Sequence, residues 1–276
     1  MSHGSRIRED VLTEKPAWDT GAPSISVVIP TLNEAMNLPH VLPRIPSWIS
    51  EVILVDGNSK DGTVDVARKL IPSIRVINEA RKGKGRALRT GVESSSGSIV
   101  ITLDADGSAD PAEIPVFVGA LLAGADFVKG SRFMQGGGTS DMEWHRKLGN
   151  WGFVTLVKWR FGSRFTDLCY GYNAFWKDIW PVLVSDDADG FEIETSMNLR
   201  ALVAKLNVHE VPSMEYRRIH GTSNLNAFSD GLRVLRTITK FALGAGGNQA
   251  ALPQLERRRQ ALPLYVGNVP NSLKSS

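Results

Sequence analysis

Short apolar runs rich in β-branched residues alternate with segments of helical spacing through the first half of the chain. Residues 25–29, 51–55, 74–77, 99–103 and 126–129 read as strands. Between them, 64–70 reads as a helix that Asp61 or Thr63 caps, and Lys82-Gly83-Lys84-Gly85 leads into a helix through Thr90, with Gly91 just inside or after its end. A third helix spans 111–122, with Pro111 at a tolerated first-turn position. A shorter helical segment from Ala35 is interrupted by Pro39. Strands that alternate with helices predict an α/β fold with a mostly parallel, doubly wound sheet.

The second half loses that alternation. Helices are expected at 144–161, 193–206 and 229–243, with a short strand at 208–212. Gly136-Gly137-Gly138 reads as a flexible loop able to act as a lid. Trp144, Trp151, Phe153, Leu156, Trp159 and Phe161 give the first of these helices much apolar surface. Such a stripe packs into a core more often than it meets lipid, and both uses stay open. Residues 1–23 read as a loose arm and 244–276 as a polar tail with a surface helix and a loose end, leaving 24–243 as the domain.

Composition narrows the class without choosing a function. A chain of 276 residues with 42% hydrophobic and 22% charged residues is an ordinary soluble globular protein. Net charge is +3, but Lys and Arg are spread along the chain rather than gathered in an arm, so nucleic acid is not an expected partner. An anionic substrate or a lipid surface fits the mild basic excess. Cys169 is the sole cysteine, which excludes an internal disulfide and fits a reducing compartment. No secretory h-region and no spanning run are visible, so a cytoplasmic location is expected, with peripheral contact at the membrane's cytoplasmic face left open.

The chemistry is sharpest at 98–106, where a buried-type strand ends in Asp104-Ala105-Asp106. Ligands of open α/β sheets bind outside the carboxyl ends of the strands. Two carboxylates there can hold Mg²⁺ or Mn²⁺ while leaving positions for substrate phosphates; a plain polar turn is the alternative. The loops after the first, second and fourth strands all carry acids or amides, so they converge on one sheet edge. Lys84, in Gly83-Lys84-Gly85, can meet a phosphate or base, although neither a Walker A loop nor a full Gly-x-Gly-x-x-Gly is present. Arg132 and Arg146 have the chemistry of bidentate phosphate contacts, or of surface salt bridges. Glu192 and Glu194 begin a helix and point in different directions, so only one should face a site. One of them, or Asp167, is a candidate general base for a hydroxyl acceptor.

In order, Pro30-Thr31-Leu32-Asn33-Glu34, Val55-Asp56-Gly57, Gly83-Lys84-Gly85, Asp104-Ala105-Asp106, Gly130-Ser131-Arg132, Gly190–Glu194 and Arg218-Ile219-His220-Gly221-Thr222-Ser223 make up a set over roughly 25–240. The set resembles family 2 glycosyltransferases of the GT-A fold, and within them the dolichyl- or polyprenyl-phosphate mannose synthase branch. The resemblance implies a GT-A-like α/β domain with a helical extension on the acceptor side. It implies a wall of Pro30, Leu32 and Glu34 around a nucleoside, with Glu34 near the ribose and Asp56 accepting from the base. The family often has two adjacent acids where this chain has Asp56-Gly57, which leaves the base open. Lys84 and Asp104-Ala105-Asp106 would meet the donor diphosphate, the two acids through the metal; Ser108 stands where a further ligand can occur. Arg218 and Ser223 match an Arg-x-x-Gly-x-Ser motif that helps hold phosphate. The implied activity is inverting transfer of a sugar, mannose favoured, from GDP-mannose or a UDP-sugar to polyprenyl phosphate. The alternatives are transfer to a hydroxyl of a polysaccharide or small natural product, a nucleotide-sugar binder without catalysis, and a nucleotidyltransferase. A homo-oligomer is left open.

Overall fold

A computed structural model describes residues 23–140, 142–184, 187–222 and 227–244. The expected arm (all but Pro23), the expected tail beyond Gly244, and Ser223 lie outside the described residues. In chain order the elements are β1 (Ile25–Thr31), α1 (Leu38–Val41), β2 (Glu51–Asp56), α2 (Thr63–Leu70), β3 (Arg75–Asn78), α3 (Lys84–Ser94), β4 (Ile99–Thr102) and α4 (Ile114–Leu122). They continue with β5 (Phe127–Ser131), β6 (Gly138–Thr139), α5 (Trp144–Phe161), β7 (Asn173–Trp176), α6 (Trp180–Leu183), α7 (Glu192–Val203), β8 (Val208–Pro212), β9 (Met214–Glu215) and α8 (Ala227–Ala242).

The expected parallel sheet is present, in the order β3-β2-β1-β4-β7-β5-β8. Strand periodicity divides its core between two faces. Val27, Ile29, Leu54, Ile99 and Ile101 pack with Ile114, Phe117 and Leu121 of α4 on one side. Val28, Ile53, Val55 and Val100 pack with Leu88 and Val92 of α3 and Ile193 and Met197 of α7 on the other. Burial on both faces explains the continuous apolar runs. It also explains Gly91. A Cβ there would stand 2.4 Å from Val28 Cγ1 and 2.8 Å from Val55 Cγ2, so glycine lets α3 lie tight on the sheet. The helix therefore runs through Gly91 to Ser94, beyond the expected end.

Two further features depart from the sequence reading. β7 is an unexpected strand, antiparallel to both β4 and β5. Asn-Ala-Phe-Trp is too short and mixed to carry a strand signal, and its partners on both sides decide it. Because β7 runs against its neighbours, the loop entering it lies at the carboxyl ends of the parallel strands. The Thr102 hydroxyl there donates to the Gly171 carbonyl at 3.0 Å. The Gly136–138 run is not a free lid. Gly138 and Thr139 pair with β9, and the Gly137 N–H donates to the Met134 carbonyl at 2.9 Å.

The second half adds a helical layer. α5 and α8 bury Val157, Val234, Ile238 and Phe241 against Leu199 of α7 and Phe165 and Leu168 of the loop before β7. The aromatic content of α5 is divided: Phe153 and Phe161 pack against this cluster, whereas Trp144, Trp151 and Trp159 are exposed. No described helix is long and apolar enough to cross a membrane.

Candidate active site

The carboxyl end of β4 delivers Asp104 and Asp106 to a cavity of about 620 Å³. Each acid meets a cation carried by a different element. Lys84, at the start of α3, places Nζ 2.7 Å from Asp104 Oδ1 and 2.8 Å from Glu194 Oε1. Burial opposes its charge, yet Asp104 and Glu194 hold the Lys84 ammonium above the ordinary lysine range. Burial also pushes the Glu194 carboxyl up, against the pull of Lys84. The glycines around Lys84 serve the chain itself. A Cβ at Gly83 or Gly85 would stand 2.1 Å from the Asp189 or Ala188 carbonyl oxygen, and the Gly85 N–H donates to Asp189 O at 2.8 Å. Gly83 and Gly85 admit the segment leading into α7.

Arg218 joins the second acid to the first loop. Its Nη1 lies 3.1 Å from Asp106 Oδ2, Nη2 pairs with Glu34 Oε1, and Nε donates to the His220 carbonyl at 2.9 Å. The other Glu34 oxygen accepts from Asn37 Nδ2 at 2.6 Å. Burial raises the Glu34 carboxyl, and Asn37 and Arg218 oppose it. Glu34 was expected at a ribose; here both its oxygens are taken within the protein. Glu192 and Glu194 separate as their spacing required. Glu194 lines the cavity, whereas Glu192 Oε1 accepts from the Gly190 N–H at 2.9 Å and its other oxygen is buried.

Arg132 and Asp167 correct the sequence reading more strongly. Arg132 reaches the cavity wall, but Nε and Nη2 donate to Asp167 at 2.6 and 2.9 Å, and Nη1 donates to Glu215 at 2.9 Å. A guanidinium so committed supports the wall rather than offering itself to a phosphate. Asp167 is fully buried and outside the cavity lining. Burial opposes its charge, but Arg132 holds its carboxyl below the usual range, so it is a poor general base.

Arg146, from the first turn of α5, lines the cavity with no ion pair among the described residues. Arg217, which no motif singled out, lines it too. So does Cys169, whose thiol burial pushes up to about 11, far from a thiolate nucleophile. Pro30, Leu32, Glu34 and Asp56 do not line this cavity. They sit together at the neighbouring ends of β1 and β2, where Pro30 pairs with Val55 and Thr31 with Asp56 in register. Asp56 Oδ2 accepts from the Ser59 N–H at 3.1 Å, and Oδ1 is buried with no hydrogen-bond partner.

No group of three acids, histidines or cysteines suited to a metal occurs among the described residues. Two carboxylates facing one cavity nevertheless fit an ion that takes its remaining ligands from substrate phosphates and water, as Mg²⁺ commonly does.

A family model described as glycosyl transferase family 2 matches residues 26–179, which takes in β1 to β7 and both acids. The chain belongs to glycosyl transferase family 2. It is a glycosyltransferase, and the matched range holds Asp104 and Asp106 just beyond the end of β4. The chain is 30% identical over 233 residues to the undecaprenyl-phosphate mannosyltransferase of Micrococcus luteus, covering 80% of this chain and 95% of the relative. It is 29% identical over 231 residues to the polyprenol monophosphomannose synthase of Mycolicibacterium smegmatis, covering 79% and 87%. The glucosyl-3-phosphoglycerate synthase of Mycobacterium tuberculosis, solved with Mn²⁺, uridine diphosphate and phosphoglyceric acid, superposes with a TM-score of 0.63 at 22% identity, over 80% of this chain and 79% of that one. That likeness is one of fold, GT-A.

Proposed function

We propose that this glycosyltransferase moves a sugar, mannose favoured, from a nucleotide sugar to a polyprenyl phosphate. One observation carries the acceptor class. Five of the six acids that line the cavity are matched to cations: Asp104 and Glu194 to Lys84, Asp106 to Arg218, Glu215 to Arg132 and Asp230 to Arg233, while the sixth, Glu143, is 69% exposed at the rim beside His145. Arg146, by contrast, is open. A hydroxyl acceptor needs a base free to take its proton. A phosphate is already ionised at neutral pH and needs only cationic orientation, which Arg146 supplies at the cavity wall. Positioning and electrostatics then carry the catalysis. The two mannosyltransferase relatives, named for lipid phosphates, support the same reading.

On the donor side, the buried Asp56 Oδ1 is an acceptor suited to a nucleobase N–H, with Pro30 and Leu32 beside it. Guanine and uracil both offer such a group, so GDP-mannose and UDP-sugars both fit. Asp104 and Asp106 would hold Mg²⁺ or Mn²⁺; when bound, such an ion neutralises charge on the nucleoside diphosphate. Lys84 and Arg218 hold the two carboxylates in place, and Glu194 fixes the Lys84 ammonium. Ser223, the last residue of the arginine motif, belongs to the acceptor side of this reading.

The test compares a short-chain polyprenyl phosphate with the corresponding alcohol, using the donor that a thermal-shift panel of nucleotide sugars selects. Transfer to the phosphate alone, lost in Arg218→Ala, is expected. Transfer to the alcohol but not the phosphate would move the protein to the hydroxyl-acceptor class.

A further inference from the structure

Across β4, β7, β5 and β8, two successive rows of in-register residues face α3 and α7. Val100, Phe175, Phe127 and Val208 form the first row, which is apolar and packs into the core on that side. Side chains two residues along a strand share a face. The next row toward the cavity, Thr102, Asn173, Lys129 and Glu210, therefore points the same way, and it is polar throughout. Thr102 and Asn173 are 2% exposed and Lys129 is fully buried. A lysine inside a sheet gives up its hydration. Burial pulls the Lys129 ammonium below the ordinary lysine range, with Asp167 and Glu210 opposing. An apolar side chain of similar volume would carry no such penalty, so stability alone does not account for the residue.

Three of the four side chains hold one loop. Thr102 Oγ1 donates to the Gly171 carbonyl at 3.0 Å, and Lys129 Nζ to the Tyr170 carbonyl at 3.1 Å. The Glu210 carboxylate accepts from the Thr166 N–H at 2.9 Å and the Asp167 N–H at 3.2 Å. The helices add two more ties. Asn150 of α5 accepts from the Leu168 N–H at 3.1 Å, and Asn198 Nδ2 of α7 donates to the Leu168 carbonyl at 3.2 Å. Residues 166–171 are thus fastened through their backbone by side chains from the sheet and from both helices.

The far end of this loop meets the site. Gly171 lines the cavity, and a Cβ there would stand 2.7 Å from Lys84 Nζ, 2.9 Å from Asp104 Oδ2 and 3.1 Å from Glu194 Oε1. The backbone at 171 is the floor on which those three side chains rest, so a shift of the loop displaces them.

We propose that Lys129 is a positioning residue of sugar transfer: through the Tyr170 carbonyl, with Thr102 holding the next carbonyl, it sets Gly171 against the Lys84, Asp104 and Glu194 cluster. Lys129 lies outside the cavity lining, so it acts on the reaction only through the loop. A misplacement of about 1 Å at a reacting centre can cost about 10²-fold in rate. This role rests on Asp104 acting in the chemistry, as read above, and is independent of the acceptor.

The test is steady-state kinetics of Lys129→Met, which keeps most of the side chain's length and removes its donor, and of Thr102→Val, which keeps the shape and removes the hydroxyl. The acceptor is whichever of a short-chain polyprenyl phosphate and its alcohol the parent chain glycosylates, below the unfolding transition of each variant. Each variant should lower kcat about tenfold while KM for the donor stays within about threefold, because the nucleoside end at β1 and β2 is untouched. The double variant should lie within about twofold of the more impaired single one, since both act on one loop. Gly171→Ala, with both ties intact, should lower kcat in the same way. Parent-like kcat in Lys129→Met, losses that multiply in the double variant, or a loss that only follows the folded fraction overturns the proposal. Should Lys129→Met not fold, Lys129→Met/Glu210→Gln, which removes both charges, takes its place; if neither folds, the lysine serves the fold and the proposal falls. Loss of turnover in Asp104→Asn beside parent-like kcat in Lys129→Met rejects the positioning role and leaves the site standing. Transfer by the parent chain to the alcohol alone removes the lipid-phosphate reading and leaves the Lys129 comparison to be decided by the same ratios.

Discussion

Two clusters of acids and bases share the wall of one cavity, built from the same residue types. In the first, Asp104 and Asp106 pair with Lys84 and Arg218 while their side chains remain 30% and 21% exposed. In the second, Arg132 and Asp167 pair with side chains 2% and 0% exposed. Carboxylates that keep this access to the cavity can meet an entering cation, while their partners Lys84 and Arg218, 13% and 15% exposed, hold them from behind. Opening the second strands a charge in the interior, which costs several kcal/mol. Burial therefore assigns chemistry to one cluster and support to the other.

Removing one partner of the buried pair should have the largest effect. Asp167→Ala should lose about 3–5 kcal/mol of stability in urea denaturation. Arg132→Met/Asp167→Leu, which removes both charges and fills the space, should recover most of that loss. If the double variant is as unstable as the single one, the pair does more than hold the wall. Next come the open acids. Asp104→Asn or Asp106→Asn should cut initial rates about 10²–10³-fold, while denaturation shifts by about 0.5 kcal/mol or less. Near-native turnover with Mg²⁺ or Mn²⁺ present would remove the two carboxylates from the chemistry.

Smaller changes sharpen the contrast. Arg146→Ala should raise KM for the phosphate acceptor about tenfold, the worth of one exposed charge-assisted contact. A loss confined to kcat would place Arg146 elsewhere in the reaction. Glu192→Gln should leave rates near those of the parent chain and Glu194→Gln should lower them, because only Glu194 faces the cavity. The pH dependence is the mildest test. Arg132 holds the Asp167 carboxyl below its ordinary value of 3.8, although burial pulls the other way. Its contribution to stability is present above that pH and is lost as pH falls through the lower folded value, by at most about 1.4 kcal/mol per pH unit. Acid titration of Asp167→Asn should therefore show a flatter limb below pH 3.8 than the parent chain.

The parallel strands, the helices between them and the acids at the end of β4 were legible because local pattern encodes them. Strands buried on both faces need unbroken apolar runs, and turns after them carry polar residues whatever lies opposite. Motif order carried the family as well. The pairings of Asp167, Arg132 and Glu34 were illegible for the converse reason. Whether an acid is free or spent depends on what another element places beside it. Asp167 meets Arg132 from β5, and Glu34 meets Arg218 from the far end of the domain. β7 was illegible because its four residues become a strand only between β4 and β5.

The sequence by itself determined the sheet, the two carboxylates at its edge and the presence of the C-terminal helices, since each follows from spacing along one segment. Only the tertiary structure decided which charges are open to a substrate, and which apolar face of α5 is buried. Those outcomes are set by partners distant in sequence. A side chain's chemistry is intrinsic, but its exposure and its nearest opposite charge belong to the packed molecule.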